Sequence, residues 1–257
     1  MDYLLKVYGF IFGCLIGSFL NVVILRIPHG KNIVSDRSEC PKCKNKLTWY
    51  HNVPIISYAL LRGKCGFCSE KISFRYPLVE ILTGLLALHL FPAELNLLSL
   101  SYSLWFFAIG CLLICHFFID LDHQLLLDKL NIYLLVLFLP YVLFHYSYWH
   151  WGLGAVFGFG ITYLVTWIFY KVRGVVGLGG GDIKLYGVLG LYLGVQGIIL
   201  NIFLSCFLGA IIGGSYILLS NSSKDRPIPF GPFIIIVACI QIFFPQMFEY
   251  VQNFLIR

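Results

Sequence analysis

Two aspartates border strongly apolar stretches in a chain that otherwise keeps its charged residues away from such stretches. Asp120 ends one apolar run, whereas Asp182 follows three glycines, residues 179–181, and precedes another run. An ionisable group at the edge of a hydrocarbon-embedded segment is costly, which makes it a candidate for a functional role. For Asp182 the alternative is structural: the glycines end one helix and the carboxylate caps the next.

If the two carboxylates share one site, they could hydrolyse a peptide bond by acid–base chemistry. Asp120 and Asp182 could not both ionise cheaply there, so the pair would hold a single proton near neutral pH. The ionised member would take a proton from a water molecule that attacks a peptide carbonyl, while the protonated member polarises that carbonyl. The glycines remove side chains where a substrate backbone must come close. Sequence alone does not show that the two aspartates meet, because 62 residues separate them.

Two further aspartates lie near Asp120. Asp122 is two residues further on, so in a helix it points to nearly the opposite face, and we expect one of the two to be chemical and the other structural. Asp128 has the position of an N-cap for the next helix. Together with the proposed pair, these carboxylates could also receive the positive charges of a bound peptide.

Four cysteines form two C-x2-C pairs, Cys40 with Cys43 and Cys65 with Cys68, separated by 21 residues. This pattern predicts a structural zinc ion bound by four thiolates. Two disulfide bonds are one alternative, but they are disfavoured in a cytoplasmic loop. A redox-active cysteine pair is another, but it would not need a second C-x2-C motif. Because the surrounding loop has few aliphatic residues, we expect the metal to supply much of its folding free energy. The remaining cysteines lie in apolar stretches, where they behave as small hydrophobic residues: Cys14, Cys111, Cys115, Cys206 and Cys239.

Glu80 falls in the first turn of a predicted membrane helix, soon after Arg75. A carboxylate near a helix N-terminus is stabilised by the helix macrodipole and could pair with Arg75. A ligand-binding role is the alternative.

The composition identifies the kind of protein that positions these residues. Of 257 residues, 59% are hydrophobic and only 12% are charged, and the mean hydropathy is +0.85. Soluble domains have about a quarter of charged residues, so the chain is predicted to be an all-α polytopic membrane protein. Eight predicted spans are residues 4–25, 77–92, 97–119, 130–148, 153–170, 184–197, 199–219 and 229–248. Seven is the alternative, because the sixth and seventh segments almost abut.

Basic residues give the orientation of these spans. If alternate loops share one side of the membrane, that side holds every Lys and Arg except Lys6 and Arg257, which is typical of the cytoplasmic side. Both termini then face outward, and the first apolar stretch is a retained helix rather than a cleaved signal peptide. The net charge of +6 reflects this bias. It requires no nucleic acid, and acidic membrane lipid is the expected neighbour.

The chain therefore divides into three predicted parts: a first transmembrane helix (1–25), a small cytoplasmic zinc-binding domain (26–76) and a transmembrane domain (77–257). In the first helix, Gly13 and Gly17 are four residues apart, so we expect another helix to pack closely there.

Taken in order, the motifs of this chain resemble those of the bacterial type IV prepilin peptidases, which are GxGD-type membrane aspartyl proteases. The resemblance covers nearly the whole length. Its motifs are the stretch Gly17–Val23, Cys-Pro-Lys-Cys at 40–43, Cys-Gly-Phe-Cys at 65–68, Arg75-Tyr76-Pro77, Asp120-Leu121-Asp122-His123, Gly179-x-Gly181-Asp182 and Pro229-Phe230-Gly231-Pro232.

The resemblance implies a bifunctional enzyme of the bacterial inner membrane. Such an enzyme cleaves the short basic leader of type IV prepilins or type II secretion pseudopilins at the cytoplasmic face. It then methylates the new amino terminus from S-adenosylmethionine. By position, the family's catalytic aspartates fall on Asp120 and Asp182, and its zinc ligands fall on the four paired cysteines.

The resemblance also ties methyl transfer to the cytoplasmic domain. Gly63 matches a family position there, and Arg75 and Glu80 are further candidates for binding the cofactor. One departure concerns the first aspartate motif: the family usually has Pro before Asp128, whereas this chain has Leu127.

Three other classes of protein are weighed against this one. A transporter or channel would also place carboxylates in the membrane, but internal repeats are expected there and none is visible. A zinc-dependent assembly factor would explain the paired cysteines but would give the two aspartates no function. A stand-alone membrane methyltransferase would explain the loop but not the aspartate pair.

Overall fold

The computed structural model describes residues 2–34, 38–40, 42–92, 96–220 and 229–248. The described part is helical apart from its loops, two short 3-10 turns (Ile27–His29 and Trp49–Asn52) and two isolated β-bridges. The predicted all-α class is therefore confirmed for it. The α-helices are α1 (Asp2–Arg26), α2 (Ile56–Leu60), α3 (Arg75–Leu90), α4 (Leu97–His123), α5 (Asp128–His145), α6 (Tyr148–Arg173), α7 (Gly180–Ser220) and α8 (Gly231–Phe243).

Every predicted apolar segment coincides with helix, with boundaries that differ by a few residues. The predicted sixth and seventh segments are both parts of α7, which is interrupted at Gly194. The φ of 66° and ψ of −177° at this residue are not helical. Only glycine adopts such backbone angles without strain. The helix therefore breaks near the predicted junction.

Five helices within the described residues are long and apolar enough to cross a membrane. They are α1, α4, α5, α6 and α7. By contrast, α3 has 16 residues and α8 has 13, which is short of the roughly 20 residues that span the hydrocarbon core. A multi-pass membrane protein is thus supported, but a crossing by all eight predicted segments is not confirmed.

The chain forms two compact units, residues 1–115 and 116–257. In the first unit, α1 packs on α3 along a seam of glycines. A Cβ atom at Gly13 would lie 2.6 Å from the Thr83 carbonyl oxygen, and one at Gly17 would lie 2.7 Å from the Glu80 Cα. The predicted close packing of these glycines is confirmed, since no larger residue fits at this distance.

The second unit has a similar seam between α6 and α7. The backbones of Gly154 and Gly190 are in direct contact, and Gly158 meets the carbonyl oxygen of Tyr186. Between α7 and α8, the Asn201 amide donates to Gln241 at 2.7 Å. These contacts pack the body of α7 against α6 and α8; the candidate site lies at its beginning.

Candidate active site and metal centre

The four paired cysteines converge on one point in the first unit. Their Sγ atoms all lie within 4.8 Å of one another, and all four thiols are free. A tetrahedral zinc ion with Zn–S bonds of about 2.3 Å holds its sulfurs about 3.8 Å apart. The 3.9 Å between the Cys40 and Cys68 sulfurs matches this requirement. These residues therefore fit a zinc site with four thiolate ligands.

The two C-x2-C turns that supply the sulfurs have the same construction. The first cysteine of each turn accepts a backbone bond from the residue four positions on: Lys44 to Cys40 at 2.9 Å and Ser69 to Cys65 at 2.9 Å. Both of these residues have positive φ, 57° and 58°. Such tight turns point backbone N–H groups at the sulfurs.

Backbone donors prepare the first turn for a cation. The N–H of Cys43 lowers the pKa of the Cys40 thiol to about 7, with help from the N–H of Lys42 and against the effect of burial. A thiol with a lower pKa releases its proton to a metal more readily, because the thiolate is the ligand. An ion pair of 2.8 Å between Lys42 and Glu70 also joins the two turns.

The three candidates for binding the methyl donor have structural contacts in the same unit. Glu80 is 7% exposed, and its carboxylate accepts the Ile55 N–H at 2.8 Å and a bond from the Ser18 hydroxyl. Gly63 has a φ of 67°, and a Cβ atom there would lie 2.9 Å from the hydroxyl oxygen of Tyr58. The Arg75 guanidinium lies 5.4 Å from the centre of the Tyr76 ring. Cofactor binding by these residues stays a prediction.

In the second unit, Asp120 lies near the end of α4 and is only 4% exposed. The backbone N–H of Gly231, the first residue of α8, faces its carboxylate. The approach is so close that a Cβ atom at Gly231 would lie 2.6 Å from Oδ2 of Asp120. In contrast, Asp122 is exposed, as expected for a residue on the opposite face of the helix.

Asp182 is the third residue of α7. Asp182 is therefore not the N-cap that the structural alternative required. Its Oδ2 instead reaches back to accept the N–H of Gly179, the residue before the helix, at 3.1 Å. The Asp120 carboxylate lies beside Gly231, and Asp182 follows Gly181. Both glycines contact Leu126, so the two aspartates border the same residue. The structure thus brings together residues from the ends of two helices that are far apart in sequence.

The turn between α4 and α5 completes this arrangement. Gln124 has a φ of 54° and donates its N–H to the Asp120 carbonyl at 2.8 Å, which ends α4 sharply. Leu126 then packs between two glycines. A Cβ atom at Gly181 would lie 2.7 Å from its carbonyl oxygen, and one at Gly231 would lie 3.3 Å from its Cδ1.

The prediction that Asp128 caps α5 is wrong. The helix begins at Asp128 itself, the residue before it is Leu127, and no side chain caps that end. Both carboxylate oxygens of Asp128 instead accept bonds from Nζ of Lys184, at 2.8 and 2.7 Å. Sequence reasoning missed Leu126 and Lys184, and it treated Gly231 only as part of a motif.

Two family models match the chain. The bacterial peptidase A24 N-terminal domain matches residues 11–93, and the type IV leader peptidase family matches residues 106–214. The chain belongs to the type IV leader peptidase family. The four cysteines lie in the first match, and Asp120 and Asp182 lie in the second.

Relatives over nearly the whole length carry one name, prepilin leader peptidase/N-methyltransferase. That of Aeromonas hydrophila is 36% identical and covers 96% of this chain and 93% of its own length. That of Pseudomonas aeruginosa is 35% identical, with 89% and 86% covered. That of Neisseria gonorrhoeae is 33% identical, with 86% and 84% covered. No solved structure matches the chain.

Proposed function

We propose that this protein is a membrane aspartyl endopeptidase that removes the leader of type IV prepilins and also methylates the amino terminus it exposes. The relatives' shared name supports both activities. The observation that supports the peptidase assignment is that Asp120 and Asp182 border the same turn, within the region that matches the peptidase family. A zinc-dependent assembly factor would give these two aspartates no function, and the internal repeats expected of a transporter are not visible in the sequence.

In the proposed reaction, one oxygen of each aspartate acts directly. Oδ2 of Asp120 and Oδ1 of Asp182 are buried and have no hydrogen-bond partner among the described residues. These oxygens are therefore available to a water molecule and to a peptide carbonyl. The remaining oxygen of Asp182 is held by Gly179, which fixes the plane of the carboxylate.

In the proposed reaction the pair begins with one proton. The ionised carboxylate takes a proton from water as the water oxygen bonds to the carbonyl carbon, and the protonated carboxyl donates a hydrogen bond to the carbonyl oxygen. Collapse of the tetrahedral intermediate breaks the C–N bond, and a carboxyl proton passes to the leaving amine. The pair then again holds a single proton.

The same proposal includes the setting of the reaction. The eight apolar segments cross the inner membrane, and the basic loops and the aspartates lie at its cytoplasmic face. The predicted division into a first helix (1–25), a cytoplasmic domain (26–76) and a protease domain (77–257) is retained. Prepilins and type II pseudopilins are the substrates, acidic lipid is the neighbour, and nucleic acid has no part.

Zinc and S-adenosylmethionine are assigned to the first unit. The four-cysteine site would hold a structural zinc that stabilises the cytoplasmic loop. S-adenosylmethionine would supply the methyl group, with Gly63, Arg75 and Glu80 as the candidate binding residues.

The test uses single substitutions that change a carboxylate to an amide of the same shape. Asp120→Asn and Asp182→Asn are each incubated with a prepilin and labelled S-adenosylmethionine. We expect cleavage to fall by at least about 1,000-fold in each, because the amide cannot accept the proton from water. Both variants should still methylate a synthetic pilin that already lacks its leader.

Asp122→Asn is the matched control, because this exposed carboxylate is two residues from Asp120 on the same helix. Its kcat should stay within about twofold of the wild-type value, and loss of a contact with the basic leader would raise only KM. Cleavage at the wild-type rate by either Asp120→Asn or Asp182→Asn would rule out the proposed mechanism.

A further inference from the structure

The beginning of α7 has few side chains with which to hold its position. Residues 179–181 are all glycine, so Asp182 is the first residue there that carries a side chain. A chain of three glycines has a large conformational freedom to lose on folding. The correct position of Asp182 therefore depends on contacts that this segment makes with other elements.

Two contacts hold the segment against the turn between α4 and α5. Leu126 packs on Gly181, and Lys184 binds Asp128 through both carboxylate oxygens, at 2.8 and 2.7 Å. Since Asp128 is the first residue of α5 and Lys184 the fifth of α7, the ion pair joins the two helix starts.

The two partners of the ion pair differ in their position along their helices. Asp128 is in the first turn of α5, where the free N–H groups favour a negative charge. Lys184 lies just beyond the first turn of α7, two residues after Asp182. The ion pair therefore connects a carboxylate that α5 stabilises to a residue next to the candidate catalytic turn.

We propose that Lys184 and Asp128 are positioning residues for prepilin cleavage, and that their ion pair holds the first turn of α7 against α5 so that Asp182 faces Asp120. This inference rests on the proposed function. The side chains of the pair are 51% and 61% exposed, and ion pairs with this exposure contribute little to overall stability. Catalysis is far more sensitive, since a misplacement of about 1 Å can cost about 100-fold in rate.

An alternative role for Asp128 is to bind a positive charge of the leader. Prepilins anchored by one apolar helix carry basic residues on the cytoplasmic side, and a free carboxylate could attract them. In the structure, however, Lys184 already occupies both oxygens of Asp128. The positioning role is therefore the one that the contacts favour.

The test compares Lys184→Met, Asp128→Asn and the double variant in the full-length protein, with kcat and KM measured for a prepilin. We expect each single variant to lower kcat about 10-fold and to leave KM within about twofold, because the aspartates are misaligned while substrate contacts remain. The double variant should be no slower than either single variant, because the two side chains act as one unit. The melting temperature and methyl transfer to a leader-free pilin should not change.

Lys184→Arg is the conservative variant, because a guanidinium also bonds both oxygens of a carboxylate, and it should restore at least half of the wild-type kcat. Wild-type kcat in Lys184→Met would overturn the proposal. So would a raised KM with unchanged kcat in Asp128→Asn, which would instead indicate leader binding, or losses that multiply in the double variant.

Asp120→Asn, measured in the same assay, distinguishes a failure of the positioning role from a failure of the proposed function. If it is inactive while Lys184→Met is fully active, only the positioning role is wrong. If Asp120→Asn cleaves at the wild-type rate, the proposed function is wrong as well.

Discussion

The two units assemble their candidate sites in opposite ways. In the first unit, four sulfurs come from two short turns that are built alike and lie within one loop. In the second unit, two carboxylates come from α4 and α7, and a backbone N–H from the start of α8 completes the arrangement. A metal can draw its ligands together as the loop folds, whereas a pair of like charges must be held together by the packing of helices.

In both units glycines allow segments to pack closely, but the residues that border these glycines differ. The seam of Gly13 and Gly17 brings α1 against α3, where the nearest atoms belong to residues 80, 83, 84 and 87 of α3. Gly181 and Gly231, in contrast, border the aspartate pair itself. Substitutions in the two units should therefore have separable effects: on methyl transfer and stability in the first, and on cleavage in the second.

The largest expected effect comes from removing a zinc ligand. Cys65→Ser should lower zinc affinity by more than about 100-fold and abolish methyl transfer, because the metal then contributes at least about 3 kcal/mol less to the folding of the loop. Metal analysis of the purified protein and the labelled-methyl assay measure these effects. Cleavage should remain within about threefold of wild type if the units work independently.

Cys206→Ser is the matched control, because this exposed cysteine lies on α7 in the second unit and is outside the cluster. It should retain zinc and both activities. If Cys65→Ser loses cleavage as completely as methyl transfer, the assignment of methyl transfer to the first unit and of cleavage to the second is wrong.

A smaller effect is expected from adding one methyl group beside the aspartates. Gly181→Ala places its Cβ 2.7 Å from the Leu126 carbonyl oxygen, so the first turn of α7 must move. Cleavage should fall about 10- to 100-fold. Gly180→Ala is an unusually close control, because a Cβ atom at this adjacent position would meet nothing within 4 Å. Equal activity in the two variants would contradict the described geometry.

The smallest effect is a loss of stability at the seam of the first unit. Gly13→Ala would place a methyl group 2.6 Å from Ala87 Cβ and from the Thr83 carbonyl oxygen, so α1 and α3 must separate slightly. We expect a cost of about 1–3 kcal/mol, measured by thermal unfolding in detergent. Gly160→Ala, with nothing within 4 Å of its Cβ, should not destabilise the protein. Similar melting temperatures in the two variants would show that the seam is looser than described.

The local features of this protein could be predicted from its sequence. Long apolar runs must form helices in a membrane, because every backbone polar group needs a partner there. The C-x2-C spacing brings sulfurs together within a few residues. For these reasons the helices and the cysteine cluster agree with the predictions, and so does the exposure of Asp122 opposite Asp120.

The contacts between distant segments could not be predicted in this way. Nothing in the local sequence shows that Leu126 packs between Gly181 and Gly231, or that Lys184 reaches Asp128 across 56 residues. The wrong N-cap prediction has the same origin: an aspartate before a helix is usually a cap, but here a distant cation binds it. The pairing of Asp120 with Asp182 stays a prediction from chemistry; the structure shows that both residues border the turn that contains Leu126.

The central claim is that Asp120 and Asp182 act as one catalytic pair. It is tested most directly by single-turnover cleavage rates of Asp120→Asn, Asp182→Asn and the double variant. We predict that the cleavage rate of each single variant is at least about 1,000-fold below that of the wild type. The rate of the double variant should be at most about threefold below that of either single variant, because one aspartate without the other cannot catalyse the reaction. Losses that multiply in the double variant, or one single variant that retains the wild-type rate, would contradict the claim.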